Sequence, residues 1–583
     1  MLGVLGALAL LLAACSQAAT PTATRPPAAT VPPQATATPL PGVAATAVPA
    51  ATPSLAPQAS PTAAGPKYGG TLRLRVTGDP DSWDTGRNHG VPGEYMLWAY
   101  PRLFTFYRGA PGEPQCQIYP IKGELATGYK WVDDLTLDVA LQQGVRMAKT
   151  PPLNGRELTA EDVAFYFNRS MFVTKLNPLL NMAAITESVT AKDPYTVRFK
   201  LKTPHAEYPE IALAYHATAI LPKETLNPPG DPNGRYTFES HQAGAYGRFR
   251  PTKYLPAVST EFEKNPDFFI KGLPYLDGVS YKIIPEETTM VAALRSGRLD
   301  SGLVRSTQTM EDVAKLGGLQ QEICPAASSV MAWMKLSLPE FQDVNVRRAI
   351  SMALDREALN KLVYRGLATT GFSMVPPLLG KQWSVDLNDY PPDIRKWLVH
   401  DVAAAKATLA KSPYPNGFTT KITFWPGQAG LGPMAEAMTS MVDDIGVNIK
   451  LDVVNLTELN IIVGEYPWDK PITRYQGMWM VLSFWTSVDD LFTYSYSTSI
   501  RNRSIIKDPV LDKMLEDQRR TTDPAKRAQI VRDIQLRLVD QMYILALPTS
   551  PFSEVHQPYV KGIYFKTYGW YDGEPMRDAW LDK

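Results

Sequence analysis

Residues 433–453 read PMAEAMTSMVDDIGVNIKLDV, and the apolar period changes within them. Met434, Met438, Met441 and Ile445 recur at steps of three and four, which places them on one face of a helix opened by Pro433. Past Gly446, the residues Val447, Ile449, Leu451 and Val453 alternate with polar ones, as in a strand with one buried face. A helix that runs straight into a strand is the unit from which α/β proteins are built.

The same alternation extends in both directions. Asp523-Pro524 caps a long helix through Val531, Ile534 and Leu538. Upstream, one helix starts at Asp401, and another runs from about Asp343 with Val346, Ile350, Ala353 and Leu354 at helical spacing. Thr159-Ala-Glu-Asp162 is a capping box, with Val163 and Phe167 four apart on the following helix. Leu72, Leu74 and Val76 alternate as a strand. Helices interleaved with strands predict α/β domains with largely parallel sheets.

The chain has 583 residues, of which 44% are hydrophobic and 10% aromatic, enough for several sizeable cores. Its 59 basic side chains balance 58 acidic ones, which argues against a nucleic-acid footprint. No run of about 18 apolar residues exists, so the sequence predicts no helical membrane bundle. Three cysteines exclude a disulfide scaffold and any multi-cysteine metal cluster.

The first sixty-six residues read as something other than fold. Residues 2–12 are an apolar run ending in Leu12-Ala13-Ala14-Cys15, the pattern of a lipoprotein signal peptide over 1–14 with lipidation at Cys15. No Lys or Arg precedes that run, a departure that would follow from a start set too far downstream or from loss of the basic region. From Ser16 to Pro66 the chain is Ala, Thr and Pro-rich, with Arg25 its only charge. Such a tract cannot bury enough apolar surface to offset its ordering entropy, so residues 15–66 are expected to be a solvated tether.

Catalytic patterns are missing: there is no His-Glu-x-x-His, Gly-x-Ser-x-Gly or Walker loop. Gly427-Gln-Ala-Gly430-Leu-Gly432 has the wrong spacing for a dinucleotide fingerprint and reads as a loop. Asp79-Pro-Asp81-Ser-Trp-Asp84 faintly resembles a calcium loop, but lacks the central glycine and the distal glutamate. The six histidines show no ligand spacing, and the adjacent acids at Asp133-Asp134, Asp443-Asp444 and Asp489-Asp490 diverge on regular elements. The sequence therefore predicts no enzyme, no metal and no cofactor.

Several stretches together resemble the family 5 extracellular solute-binding proteins. They begin with Leu125-Ala126 through Trp131 and the run from Asp134 to Gly144-Val145, and continue as Asn154-Gly155-Arg-Glu-Leu-Thr159-Ala160-Glu161-Asp162-Val163. Ala243-Gly-Ala-Tyr246 with Asn265-Pro266-Asp267-Phe268, and Ala293-Leu-Arg-Ser-Gly297-Arg-Leu-Asp300, are similar to later family elements. Asp343-Val-Asn-Val-Arg347-Arg-Ala349-Ile350 followed by Ala353-Leu-Asp355-Arg356-Glu357 is a near-complete match. Tyr414-Pro-Asn-Gly417-Phe418 and Ile445-Gly446-Val447 complete the series, in order, over roughly residues 67–583. These motifs are expected to build fold, with Gly155 and Gly417 in turns and Arg347 and Arg356 paired with acids.

The resemblance implies a two-lobed α/β periplasmic-binding-protein-like fold with a hinge and an extra N-terminal subdomain. Lobe I would comprise 67–110, 235–335 and 553–583, the subdomain 111–234, and lobe II 336–552. The chain would cross between lobes near Met331–Ser337 and Pro548–Pro551. A peptide or similar oligomeric solute would bind between the lobes and pass to an ABC permease with its ATPases. A non-peptide ligand (oligosaccharide, opine or metal chelate) and an extracytoplasmic sensor or chaperone module remain as alternatives. The protein would be a monomer, with no nucleic-acid partner, anchored through Cys15 to the outer face of the cytoplasmic membrane.

Candidate ligand residues are Asn88 and His89 after the first strand, Trp425 after Ile422-Thr-Phe424, and Trp479, Trp485, Thr486 and Asp489 in the segment that carries ligand contacts in the family. Peptide-binding members resemble one another in an Asp-Tyr-x-Asp-Pro segment whose first Asp pairs with the ligand's α-ammonium. Here Trp485 or Thr486 falls at that position, and Asp489 could substitute only if the loop is re-registered. Cys116 and Cys324, in an oxidising compartment, are expected to be free thiols.

Overall fold

The computed structural model describes residues 65–80, 83–84, 92–106, 120–173, 180–214, 218–428, 430–455, 457–459, 462, 475–483, 487–499, 501–563 and 576–583. Three larger sheets organise them. The first is four-stranded, in the order Thr71–Val76, Gly278–Ile283, Ser259–Lys264, Phe249–Leu255. The second orders Ala126–Asp133, Thr136–Leu141, Thr196–Leu201, Thr186–Asp193. The third has six strands, ordered Ser301–Val304, Ile544–His556, Gln320–Met334, Met478–Ser483, Phe418–Phe424, Val447–Val453.

The expected predominance of parallel pairing does not hold among the described strands. Thr71–Val76 pairs in parallel with Gly278–Ile283, and Phe418–Phe424 with both Val447–Val453 and Met478–Ser483; the remaining pairings are antiparallel. Crossover helices allow the parallel pairs, whereas short turns such as 134–135 and 194–195 force the neighbouring strands to return antiparallel.

The helix-to-strand stretch forms, but the helix starts two residues before Pro433. The expected buried strand face holds only for its first half: Val447 and Ile449 are buried, whereas Leu451 and Val453, on the outermost strand of the sheet, are exposed. The helix spans Leu431–Asp443 and buries Met434, Met438 and Val442, and the strand Val447–Val453 follows. Gly446 turns the chain between them at φ +83°, and Gly417 at φ +89° lies so close that an added Cβ would meet the Gly446 carbonyl oxygen at 1.8 Å. Asp343, Asp401 and Asp523 cap their helices by accepting from Asn345, Ala404 and Lys526 backbone N–H groups. In the capping box, the Asp162 carboxylate accepts from Thr159 N at 3.0 Å, and Val163 and Phe167 are fully buried.

Arg347 and Arg356 do not pair with acids. Arg347 donates to the carbonyls of Phe341, Gln342 and Gln541, and Arg356 to those of Ala546, Leu398 and Ser351. Burial lowers the pKa of both to about 10, and backbone carbonyls, several of them at helix ends, satisfy them. Asp300, by contrast, clamps the first strand, accepting from Arg73 N, Nε and a terminal guanidinium nitrogen.

Three cores follow. The largest holds Val330–Met334, the helix Val344–Ala353, the parallel strands and Ile544–Leu547. A second joins Leu72 and Leu74 with Leu137, Phe199, Tyr208, Tyr281 and Leu581, so the first two sheets share one interior. A small third contains Met290, Leu303, Cys324, Phe552 and Val555. The strands Gln320–Met334 and Ile544–His556 run from the third core into the largest. Their register shifts between Cys324 and Ser328 and again before Val330. That irregularity precedes the expected crossing at Met331–Ser337, because Met331–Met334 are already packed in the largest core.

Cys324 is fully buried and disulfide-bonded, which overturns the expectation of a free thiol there. Its partner is one of the other two cysteines, Cys15 and Cys116, which lie outside the described residues. Sequence separation gave no distance by which to foresee the bond.

Candidate functional site

The strands Phe418–Phe424, Val447–Val453 and Met478–Ser483 point the same way, so Phe424, Val453 and Ser483 end at one edge of the six-stranded sheet. Ser329 of the crossing strand pairs with Ser483 and joins that edge. Chain ends that converge beyond parallel strands form the usual ligand crevice of α/β sheets.

Trp425 stands at this edge, directly after Phe424. It is partly buried against the largest core, and its ring lies over Gly427, where a Cβ would come within 2.2 Å of it. Gln428 ties the same loop to the end of the next strand: Leu482 N donates to its side chain at 3.0 Å. The Trp425 loop and the strand leading to Trp485 are thereby held together, although Trp485 and Thr486 themselves lie outside the described residues, as do Asn88, His89 and Cys15.

Beside the crossing strands, a cavity of about 170 Å³ is lined by Ser329, Val330, Thr369, Gly371, Phe372 and Thr549 among others. Its wall is pinned by Thr549 N donating to Thr369 O at 3.0 Å, and by the two threonine hydroxyls 2.9 Å apart. Gly371 has φ +75° and would place a Cβ 2.0 Å from Leu547 O, so only glycine lets the 369–373 segment approach the strand this closely. The sequence offered no signal for this wall beyond the glycine itself.

Two expected ligand residues are corrected. Trp479 is fully buried on the sheet face that carries Trp333, with Tyr475 edge-on at 5.6 Å and the Arg503 guanidinium 4.5 Å above its ring. It is a core residue. Asp489 is 2% exposed and engaged at both oxygens. Its carboxylate meets His205 Nε2 at 2.9 Å, Gln518 Nε2 at 2.5 Å and Arg519 Nε at 2.7 Å. Burial pushes its pKa up, but His205 and Arg519 outweigh that and hold it well below the usual carboxylate range. Both oxygens of Asp489 already carry protein partners, and the carboxylate is almost wholly shielded from solvent.

The faint calcium loop is likewise committed elsewhere. The Asp79 carboxylate accepts from Ala257 N and Tyr254 OH, and Asp84 forms a buried pair with Arg169. Among the described residues no group of three metal-ligating side chains occurs.

The family model for "Bacterial extracellular solute-binding proteins, family 5 Middle" matches residues 120–503. The chain is a family 5 extracellular solute-binding protein. The oligopeptide-binding protein AppA of Bacillus subtilis is 27% identical to it over 443 residues, 73% of this chain and 77% of that protein. The glutathione-binding protein GsiB of Salmonella typhimurium is 23% identical over 436 residues, 74% and 80% of the two chains. The periplasmic binding protein DppA of Helicobacter pylori, solved with the peptide STSA, superposes with a TM-score of 0.68 at 22% identity, over 89% of this chain and 99% of that one. This family 5 protein accordingly has the two-lobed α/β fold of periplasmic binding proteins. Its function is extracytoplasmic solute binding, and no described helix is long and apolar enough to cross a membrane.

Proposed function

We propose that this protein captures a peptide, or a similar oligomeric solute, between its lobes and hands it to the permease and ATPases of an ABC importer. The convergence of the Trp425 loop, the end of Met478–Ser483 and the crossing strands at one sheet edge carries the reading. The names of the relatives, which concern oligopeptide and glutathione, favour a peptidic ligand. Lobe I would take 67–110, 235–335 and 553–583, the subdomain 111–234, and lobe II 336–552, with hinge motion at the register shifts of the crossing strands. Asn88, His89, Trp425, Trp485 and Thr486 remain the proposed ligand contacts, and Trp479 and Asp489 leave that set. The mature chain would be a monomer anchored through lipidated Cys15.

The test is mass spectrometry of what co-purifies with the protein, followed by calorimetry with the identified compound and with a Trp425→Ala variant. A peptidic compound whose affinity falls about tenfold or more in the variant, roughly 1.4 kcal/mol, supports the reading. A bound sugar, opine or metal chelate would replace it by the second reading within the family.

A further inference from the structure

A polar contact joins the two large cores, separate from the crossing strands. On one side, Tyr208 is fully buried in the second core, its hydroxyl 2.9 Å from Thr186 Oγ1 and its ring against Phe199. That anchor fixes the segment bearing His205 and Glu207. On the other side, Val488, Leu491, Leu515 and Val531 bury the helices that carry Asp489, Gln518, Arg519 and Arg527 in the largest core.

Four bonds cross between them. Ala206 N donates to Arg519 O at 2.6 Å, and His205 Nε2 meets Asp489 Oδ2 at 2.9 Å. Asp489 N donates to Glu207 Oε2 at 2.9 Å, and an Arg527 terminal nitrogen pairs with Glu207 Oε1 at 2.7 Å. His205, Glu207, Asp489 and Arg527 are all less than one-tenth exposed.

The chemistry of this contact suits an interface that opens. Separating an apolar interface leaves hydrophobic surface in water, whereas each of these groups can exchange its partner for water. The partners also divide by side. If the cores part, Asp489 keeps Gln518 and Arg519, and Arg527 keeps Gln518, to which it donates at 2.9 Å. Glu207 loses both Arg527 and the Asp489 N–H, so its side-chain bonds here exist only while the two cores are together.

We propose that His205 and Glu207, meeting Asp489 and Arg527, form a reversible latch that holds the lobes closed and biases the hinge before ligand arrives. A population shift of this kind requires contacts present in one state and absent in the other, which Glu207 supplies. The inference rests on the hinge reading given above. It is tested without ligand, so failure to find a transported solute leaves it standing.

The experiment compares small-angle scattering and amide hydrogen exchange of the ligand-free protein with those of Glu207→Ala and Glu207→Gln. The expected result is a larger radius of gyration in both variants. The amides of Ala206 and Asp489 should exchange roughly tenfold or more faster, with protection of Phe418–Phe424 unchanged. Equal radii and equal exchange would overturn the latch. So would loss of protection across Phe418–Phe424 in Glu207→Gln, since the contact would then be a fixed part of the fold.

Discussion

Glu210 lies three residues beyond Glu207, and its environment is less forgiving. Burial, and then the charge of Glu207, push its carboxyl up to about 7, with Arg527 offsetting part of the rise. The folded chain therefore holds a proton that the unfolded chain releases near pH 4.5. Stability present below that pH is lost as pH rises towards 7, by at most about 3 kcal/mol. Urea unfolding at pH 5 and pH 7.5 should show the loss, and Glu210→Gln should flatten it; an equal slope in the variant would assign it to other groups. Asp489 carries a second expectation. With its oxygens occupied, N-acetylation of a peptide ligand should change affinity by less than tenfold, under about 1.4 kcal/mol, because no acid there awaits an α-ammonium. Calorimetry on matched free and acetylated peptides decides it, a hundredfold loss being incompatible. Trp479→Ala should cost about 3–5 kcal/mol of stability while the folded fraction binds within threefold of the parent, as a core ring requires and a ligand-stacking ring would not.

Among the elements, the two crossing strands carry the mechanical burden. Their ladder is continuous from Val330 to Trp333 and from Gln320 to Cys324, and irregular between. Cys324 sits at the edge of that irregularity with its sulfur in a disulfide. Both remaining cysteines are more than about 200 residues away in sequence, so the bond closes a long loop and, on the chain-entropy account, contributes about 5 kcal/mol. Thiol titration of the unlipidated chain, denatured without reductant, should find one free thiol, and a count of three would contradict the bond. Reduction should lower the unfolding midpoint.

For the whole molecule, the unit from Gly65 to Lys583 is compact and follows the Ala/Thr/Pro-rich tract. The diacylglyceryl thioether proposed for Cys15 would supply two acyl chains, enough for stable anchoring where one would be marginal. Cys15→Ala should release the protein from membranes on fractionation; a variant that still sediments with them would remove the anchor from the proposal.

The sequence by itself determined the local elements and the family. Capping residues such as Asp343, Asp401 and Asp523 act on backbone groups two or three residues away, and apolar periods report which face is buried, so both are legible in one dimension. The turn glycines at 155 and 417 were legible for the same reason, since a positive φ restricts residue type locally. Tertiary structure decided everything that depends on residues far apart in the chain. It paired most strands antiparallel, gave Arg347 and Arg356 carbonyl rather than carboxylate partners, oxidised Cys324, and sent Trp479 inward. It also committed Asp489 to His205, 284 positions away. A side chain's charge and shape are written at its own position, but which groups desolvate and satisfy it depends on how distant segments pack, and no local pattern encodes that choice.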